Sequence, residues 1–244
     1  MTEDPYRDEQ LVQLYDVDNP PGDDHEYFRG VAGRTGATKI IDFGCGTGLL
    51  TRALVTDGRT VIGVDPSPTM LGYARRQPGA DAVTWIDGDA AAVQPAGDAD
   101  LVISSGNAMM HVAPDDYPGV LAALAAALRP GGVITFDSRN PAARAWEQWQ
   151  REATYGERDT PFGRLREWLE LVGVENGRVE FDAYNVFADG RTEVLTSVLY
   201  FREPGDLVAD LEAAGFTDVD VRGGWHGEPV GPDTRVLVIT ARRG

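Results

Sequence analysis

The chain has 244 residues, of which 42% are hydrophobic and 25% are charged, values typical of a globular protein and not of global disorder. Acidic residues outnumber basic ones by 39 to 22, a formal net charge of −17, so nucleic acid and anionic membrane surfaces are poor partners. The single cysteine, Cys45, excludes an internal disulfide and a multi-cysteine zinc site, and no metal site is predicted.

The N-terminal sequence lacks the features of a targeting signal. It is acidic and polar, where a secretory signal needs a basic start followed by an apolar run. No apolar stretch approaches the ~18 residues of a membrane-spanning helix. These features predict a cytoplasmic location.

Short apolar runs alternate with helical stretches in the first part of the chain, a pattern typical of βαβ units and a parallel sheet. Strands are predicted at 39–43, 60–64, 82–86, 100–104 and 133–137. Helices are predicted between them at 49–57, 67–76 and 115–128. Start and stop signals support these helices, such as Pro68 after an N-cap candidate and Gly58 at a C-terminus.

The pattern changes after residue 141. Three strands are predicted at 168–174, 178–187 and 192–201, joined by turns that contain the Asn-Gly and Asp-Gly pairs typical of β-hairpins. A helix at 205–214 and strands at 217–221 and 235–241 follow. The segment therefore predicts an antiparallel sheet of about three strands inserted into the α/β unit.

Residues 40–49, IIDFGCGTGL, predict a strand, a glycine-rich turn and the start of a helix. Glycine lacks the Cβ that would block a ligand, and the free N–H groups at a helix start favour an anionic group. The next strand ends near Asp65, where a carboxylate can accept hydrogen bonds from both hydroxyls of a ribose. These residues predict a nucleoside-containing ligand across the carboxyl ends of the strands.

The spacing of the glycines separates two such ligands. A dinucleotide fingerprint requires G-x-G-x-x-G/A, and Leu49 stands where the third glycine belongs. Asp42, inside the first strand, would repel a pyrophosphate but would attract the ammonium of an amino acid. The residues therefore favour a nucleoside joined to an amino acid, such as S-adenosylmethionine, over NAD.

Five segments in order carry a resemblance to a known family: IIDFGCGTG, VIGVDPSPTML, WIDGDA, DLVISSGNAMMH and LRPGGVITFDSRNP. From about residue 39 to 140 the chain resembles class I S-adenosylmethionine-dependent methyltransferases of the small-molecule branch. The resemblance implies an α/β fold, a Rossmann-like seven-stranded, mostly parallel sheet with helices on both faces, plus an antiparallel β insert that forms a lid. It implies one domain over 1–244, with a helical cap at 1–37, a cofactor-binding core at 38–141, the lid at 142–203 and a return to the core sheet at 204–244.

The resemblance also implies methyl transfer from S-adenosylmethionine to a small organic acceptor, with S-adenosylhomocysteine as the product. The implied cofactor-binding residues are Tyr15, Asp42, Gly44, Cys45, Gly46, Gly48, Asp65, Pro66, Met70, Asp89, Ala90 and Ser105. The glycine turn would lie against the methionine part, with Asp42 facing its ammonium and Tyr15 capping its carboxylate. Asp65 would bind the ribose.

The remaining residues of that set match positions around the adenine and the methionine end. Pro66 and Met70 would pack against the ring, while Asp89 would accept its exocyclic amine and the backbone of Ala90 would bond a ring nitrogen. Ser105 follows the fourth strand, where the family meets the methionine end and the substrate. Asp87 competes with Asp89, Met70 has an alternative as core packing, and Tyr15 has one as a packing or surface residue.

A general base is useful for a hydroxyl or carbon acceptor and optional for an amine. Of the three histidines, His111 is the predicted catalytic or substrate-contacting residue, because it follows the fourth strand in the loop that faces substrate in this fold. His25 has an alternative as a solvated or capping residue, and His226, in a loop before the last strand, is a weaker candidate than His111. Arg139, after the fifth strand, either holds a substrate carboxylate or pairs with an acidic neighbour.

Three questions stay open on the sequence. The acceptor atom is oxygen, nitrogen or carbon. A protein that binds S-adenosylmethionine without transferring its methyl group, as a sensor or scaffold, is the alternative function. The edge strands of the lid invite pairing, so a homodimer is an open alternative to a monomer.

Overall fold

The computed structural model describes residues 6–244 and opens with two helices, α1 (Glu9–Asp18) and α2 (Asp23–Arg34). Strands and helices then alternate as β1 (Lys39–Phe43), α3 (Leu49–Ala53), β2 (Thr60–Asp65), α4 (Pro68–Ala74), β3 (Val83–Asp87), β4 (Ala99–Ser104), α5 (Tyr117–Ala127) and β5 (Leu128–Arg139). The chain continues through α6 (Arg151–Thr154), β6 (Gly156–Thr160), β7 (Gly163–Glu175), β8 (Arg178–Val186) and β9 (Thr192–Tyr200). It ends with α7 (Pro204–Ala213), β10 (Phe216–Arg222) and β11 (Val236–Arg243).

The central sheet has seven strands in the order β3-β2-β1-β4-β5-β11-β10. Strands β1 to β5 run parallel, whereas β11 is antiparallel to both of its neighbours. The strand order reverses between β1 and β4, and ligands of open α/β sheets bind at the carboxyl ends of the strands at such a point. The predicted fold is confirmed.

Helices cover both faces of this sheet. On one face α5 and α7 bury Leu121, Leu124 and Leu211 against the strands. On the other face α2 and α3 bury Phe28 and Leu50. Two-sided burial explains why the parallel strands consist almost wholly of apolar residues. In the described part of the chain, no helix has both the length and the apolar composition needed to cross a membrane.

The lid sheet (strands β6 to β9) is antiparallel and has one strand more than the sequence predicted. Strand β6 has the sequence GERDT, which lacks alternating apolar residues and is held by its pairing with the start of β7. The predicted Asn-Gly turn is present, because Asn176 and Gly177 have φ of 49° and 80°. Both central residues of a type I′ turn require a positive φ.

Helix α3 is shorter than the predicted 49–57. Nη1 of Arg59 donates a hydrogen bond to the carbonyl of Leu54 at 3.0 Å, and its Nε donates to the carbonyl of Ala37 at 2.9 Å. The arginine side chain therefore takes a carbonyl that a longer helix would use for its own next turn. Contacts distant in sequence set this helix end.

Aromatic residues join the lid sheet to the central sheet. Trp149 contacts Phe181 of β8 with ring centroids 4.6 Å apart, and Trp146 contacts Phe201 at the same separation. Met110, in the loop after β4, is buried in the same cluster. The inner face of the lid is therefore fixed beside the loop that follows β4.

Candidate functional site

The glycine turn (residues 44–48) leaves the end of β1 with three glycines at positive φ, 74° at Gly44, 53° at Gly46 and 70° at Gly48. A Cβ at Gly44 would lie 2.5 Å from Cβ of Ala108, and one at Gly48 would lie 2.3 Å from Cη2 of Trp85. A Cβ at Gly46 would meet no heavy atom within 4 Å. Two of the glycines are therefore required by packing, whereas Gly46 borders open space that a ligand can approach.

Asp65, the last residue of β2, holds the glycine turn in place. Its Oδ2 accepts a hydrogen bond from the N–H of Gly46 at 2.7 Å, and its Oδ1 accepts one from the N–H of Ser67 at 2.9 Å. The geometry is compatible with the predicted ribose contact and adds a structural role that the sequence did not suggest.

Asp42, in β1 beneath the turn, is fully buried. Its Oδ2 accepts a hydrogen bond from Oγ1 of Thr51 at 2.6 Å, while its Oδ1 has no hydrogen-bond partner. Burial raises the pKa of Asp42 to about 7, and the charge of Asp65 acts in the same direction. An unpaired buried carboxylate oxygen is costly, so the site favours a ligand that brings a cation or a hydrogen-bond donor.

Three other buried side-chain atoms without a partner lie at the same sheet edge: Oγ of Ser104, Oδ1 of Asn107 and Oδ1 of Asp137. They come from the ends of β4 and β5 and from the loop between these strands. The N–H of Asn107 donates to Oδ2 of Asp137 at 3.0 Å, which ties that loop to β5. Together with Asp42, this edge holds two carboxyl oxygens and one amide oxygen without a partner, and burial raises the pKa of Asp137, like that of Asp42, to about 7. Sequence analysis did not single out Asp137 or Asn107.

Helix α1 covers the glycine turn. Oδ1 of Asp16 accepts a hydrogen bond from Oγ1 of Thr47 at 2.5 Å, and Nη2 of Arg52 lies 3.9 Å from its Oδ2. Burial raises the pKa of Tyr15, and the charges of Asp65, Asp16 and Asp137 add to the shift. The phenol of Tyr15 is therefore close to carboxylates of both β2 and β5, which is compatible with a ligand contact.

The residues predicted around adenine lie on the β2–β3 side of this edge. Pro66 and Asp89 are exposed there, and Oδ1 of Asp89 accepts a hydrogen bond from the N–H of Ala91 at 2.9 Å. Ala90 is buried. Met70 is only 2% exposed, which favours its alternative interpretation as core packing.

The histidines occupy three different places. His111 lies where the loop after β4 meets the backbone of Val198 in β9, and desolvation there lowers its pKa. His25, half-buried on α2, also has a pKa lowered by burial, although Asp24 and Asp16 oppose the shift. His226 is exposed, with Nε2 3.6 Å from Oδ2 of Asp23. His111 is thus on the lid side of the site, where an acceptor is expected.

Arg139, at the end of β5, is half-buried with its Cζ 5.6 Å from the ring centroid of Trp149. Among residues 6–244 no carboxylate lies within ion-pair distance of its guanidinium. Burial lowers its pKa, and the charge of Asp137 opposes this shift. The ion-pair alternative is not observed, and the guanidinium is available to an anionic group of a ligand.

Residues 40–132 match the sequence profile of a family described as "Methyltransferase domain". This range contains the glycine turn, Asp65, Asp89 and the loop after β4. This segment is a methyltransferase domain.

Two curated relatives extend the match. Glycine N-methyltransferase of Oryctolagus cuniculus is 31% identical over 152 residues, which cover 54% of this chain and 51% of that protein. Malonyl-[acyl-carrier protein] O-methyltransferase of Pectobacterium atrosepticum is 35% identical over 115 residues, 45% of this chain and 44% of that protein. The chain thus spans about half the length of the first relative and less than half of the second.

The fold of the whole chain matches a solved structure. An S-adenosylmethionine-dependent methyltransferase from Clostridium acetobutylicum superposes with a TM-score of 0.77 over 96% of this chain and 98% of that one, at 16% identity. The methyltransferase domain therefore lies in a chain that has, lid included, the fold of an S-adenosylmethionine-dependent methyltransferase. The resemblance that the sequence predicts is confirmed.

Proposed function

We propose that this protein binds S-adenosylmethionine and transfers its methyl group to a small organic acceptor. The observation that carries the proposal is the edge of the methyltransferase domain, where open space at Gly46 adjoins the unpaired buried oxygen of Asp42. An amino-acid ammonium beside Asp42 would satisfy that oxygen and favour its charged form. A nucleoside would extend from there towards Asp65 on β2.

The cofactor-binding residues proposed are those that the sequence indicated. Asp65 and the backbone of the glycine turn would hold the ribose and the methionine part, with Tyr15 and Ser105 beside the methionine end. Pro66, Asp89 and Ala90 would hold the adenine. When bound, S-adenosylmethionine supplies a methyl group on a positively charged sulfur, an electrophile with a good leaving group.

The chain's own contribution to the reaction is mainly positioning. Helix α1 contacts the glycine turn and the lid sheet packs beside the loop after β4, so both would help to exclude water from a bound ligand. His111, whose pKa is lowered by desolvation, is available as a proton acceptor on the lid side. Arg139 would hold an anionic group of the acceptor, because its guanidinium has no ion-pair partner in the described part of the chain. Arg139 also follows Asp137 by two positions on β5, at the same end of the strand.

The first test is calorimetric titration of the purified protein with S-adenosylmethionine, S-adenosylhomocysteine and NAD(H), after removal of any co-purified ligand. We expect micromolar binding of both sulfur nucleosides and none of NAD(H). Asp65→Ala should weaken binding by about 1–3 kcal/mol through lost hydrogen bonds, whereas Asp81→Ala, an exposed position just before β3, should not. Binding of NAD(H), or no binding by folded protein, would contradict the proposal.

Turnover is tested separately, because binding alone leaves the sensor or scaffold alternative standing. Mass spectrometry of small acceptors incubated with protein and S-adenosylmethionine should detect the gain of one methyl group. The names of the two curated relatives point to a nitrogen acceptor in one and an oxygen acceptor in the other. A screen therefore has to include both amines and hydroxyl compounds. Tight binding without transfer to any of them would favour the sensor.

Three further proposals concern the whole molecule. We infer that the chain works as one domain, in which the segment 142–203 acts as a lid over the acceptor. A cytoplasmic location accords with its composition. A homodimer would form through the edge strands of the lid, and light scattering of the purified protein tests it.

A further inference from the structure

The end of β5 carries a buried carboxylate that the cofactor does not explain. Asp137 is 3% exposed and its Oδ1 has no partner, although its Oδ2 accepts a hydrogen bond from the N–H of Asn107 at 3.0 Å. That bond gives Oδ2 a structural role, because it fixes the loop after β4 to the end of β5. The other oxygen is left for a ligand.

The topology separates this oxygen from Asp42 and Asp65. Asp42 on β1 is in register with Ile103 on β4, and Ile103 is in register with Thr135 on β5. Asp137 therefore lies two strands across and two residues further along, about 10 Å across the sheet alone at the usual strand spacing. Asp65 lies on the opposite side of β1. The carboxylate of Asp137 consequently lies on the acceptor side of the glycine turn.

A second unpaired acceptor accompanies it. Oδ1 of Asn107 is buried without a partner, on the residue whose N–H is already bonded to Asp137. Oδ1 of Asn107 and Oδ1 of Asp137 each need a hydrogen-bond donor. One ligand group that carries two donors could supply both. A hydroxyl group has one O–H, whereas an amine or ammonium has two or three N–H groups. An ammonium would also stabilise the charge of the carboxylate, which no cation contacts within ion-pair distance in the described chain, and its nitrogen would release one proton before it accepts a methyl group.

We propose that Asp137, together with Asn107, binds an amino group of the methyl acceptor, and that the acceptor is therefore an amine. This inference rests on the proposed function. It assigns the acceptor class that the sequence leaves open. Asp137 acts as an acceptor-binding residue, and Arg139 next to it offers a positive charge for an anionic group of the same molecule.

The experiment measures binding of matched probes to protein saturated with S-adenosylhomocysteine. The probes are glycine against glycolate, and glucosamine against glucose, pairs that differ in an amino group in place of a hydroxyl. Calorimetry should show at least one of the amines binding to the wild type tenfold or more tightly than its hydroxyl partner. Asp137→Asn should abolish this preference. The variant replaces one carboxylate oxygen by an NH2 group, which donates a hydrogen bond and cannot accept one from the amine. Asp81→Asn, which changes an exposed carboxylate just before β3, should keep it.

A second variant separates binding from folding. Asn107 has φ of 63°, a conformation that glycine adopts without strain, so Asn107→Gly removes Oδ1 while keeping the N–H that bonds to Asp137. We expect it to fold and to lose several-fold in amine affinity, with affinity for S-adenosylhomocysteine unchanged. Equal binding of amine and hydroxyl probes, no binding of either amine, or an unchanged preference in both variants would overturn the inference. If the folded wild-type protein does not bind S-adenosylhomocysteine, the proposed function itself is overturned.

Discussion

Asp42 couples occupation of the proposed cofactor site to pH. Burial raises its pKa to about 7, Asp65 on β2 adds to the shift, and the hydrogen bond from Thr51 on α3 opposes it. Between the ordinary pKa of 3.8 and about 7, the folded protein keeps a proton that the unfolded chain has released. The contribution of Asp42 to stability is therefore present at low pH and is lost as pH rises through this window.

A ligand ammonium beside Asp42 favours the carboxylate, so binding below pH 7 releases a proton. We expect the affinity for S-adenosylhomocysteine to rise by roughly 30-fold between about pH 5.5 and 8 from this group alone. Calorimetry in buffers of different ionisation enthalpy counts the protons released. Asp42→Asn should bind more weakly at pH 8 and show a flatter pH dependence, and Asp137, whose pKa burial also raises to about 7, accounts for what remains. Parallel pH profiles of variant and wild type would contradict this assignment.

Some residues of the site could be predicted from the local sequence, whereas others depend on the folded structure. Asp42, the glycine turn and Asp65 lie within 25 residues of each other, so the local strand-turn-helix pattern assigns them. Asp137 and Asn107 were missed because their significance is an unsatisfied atom, which depends on how three strands pack. Likewise, Gly48 is explained by Trp85 of β3, a neighbour that only the folded sheet brings close.

Helix α1 is the element that joins the cofactor edge to the lid sheet. Asp16 contacts the glycine turn, while Asp8 and Asp18 near its two ends contact Arg191 and Arg158 of the lid segment. In each of the two lid contacts the aspartate and the arginine are more than a hundred residues apart in sequence, so no local pattern predicted these contacts. The Asn176-Gly177 hairpin, in contrast, could be predicted from neighbouring residues alone.

Because α1 bridges the two parts, removing its lid contacts should speed ligand release. The double variant Arg158→Gln/Arg191→Gln loses both ion pairs to the α1 segment, together with the pairs of these arginines to Glu167 and Glu193 within the lid. Such partly exposed pairs contribute up to about 1 kcal/mol each. Stopped-flow measurement should show S-adenosylhomocysteine dissociating about 3- to 10-fold faster. Arg164→Gln is the control, because Arg164 pairs with Glu157 and Asp159 within the lid and does not contact α1. A double variant as slow as this control would refute the bridging role.

At the scale of the whole molecule, three parts surround one edge of the sheet: the strand ends, the helices α1 and α2, and the lid. The seven-stranded, mostly parallel sheet was predictable, because the resemblance over 39–140 implies it. The way the lid is attached was not, since it depends on Trp149, Phe181 and Phe201 meeting across separate segments. Because these three parts surround one site, we expect ligand binding to stabilise the strand ends, the helices and the lid together.

Hydrogen exchange measured by mass spectrometry tests that expectation. At a ligand concentration a hundred times the dissociation constant, linkage stabilises the folded state by about 2.7 kcal/mol. If the chain opens as one domain, S-adenosylhomocysteine should slow exchange in α1 and in β8 and β9 as well as in β1 and β4. NAD(H) is the control ligand and should slow none of them. Protection confined to the central strands, with the lid exchanging as in the free protein, would show that the lid opens independently of the cofactor-binding core.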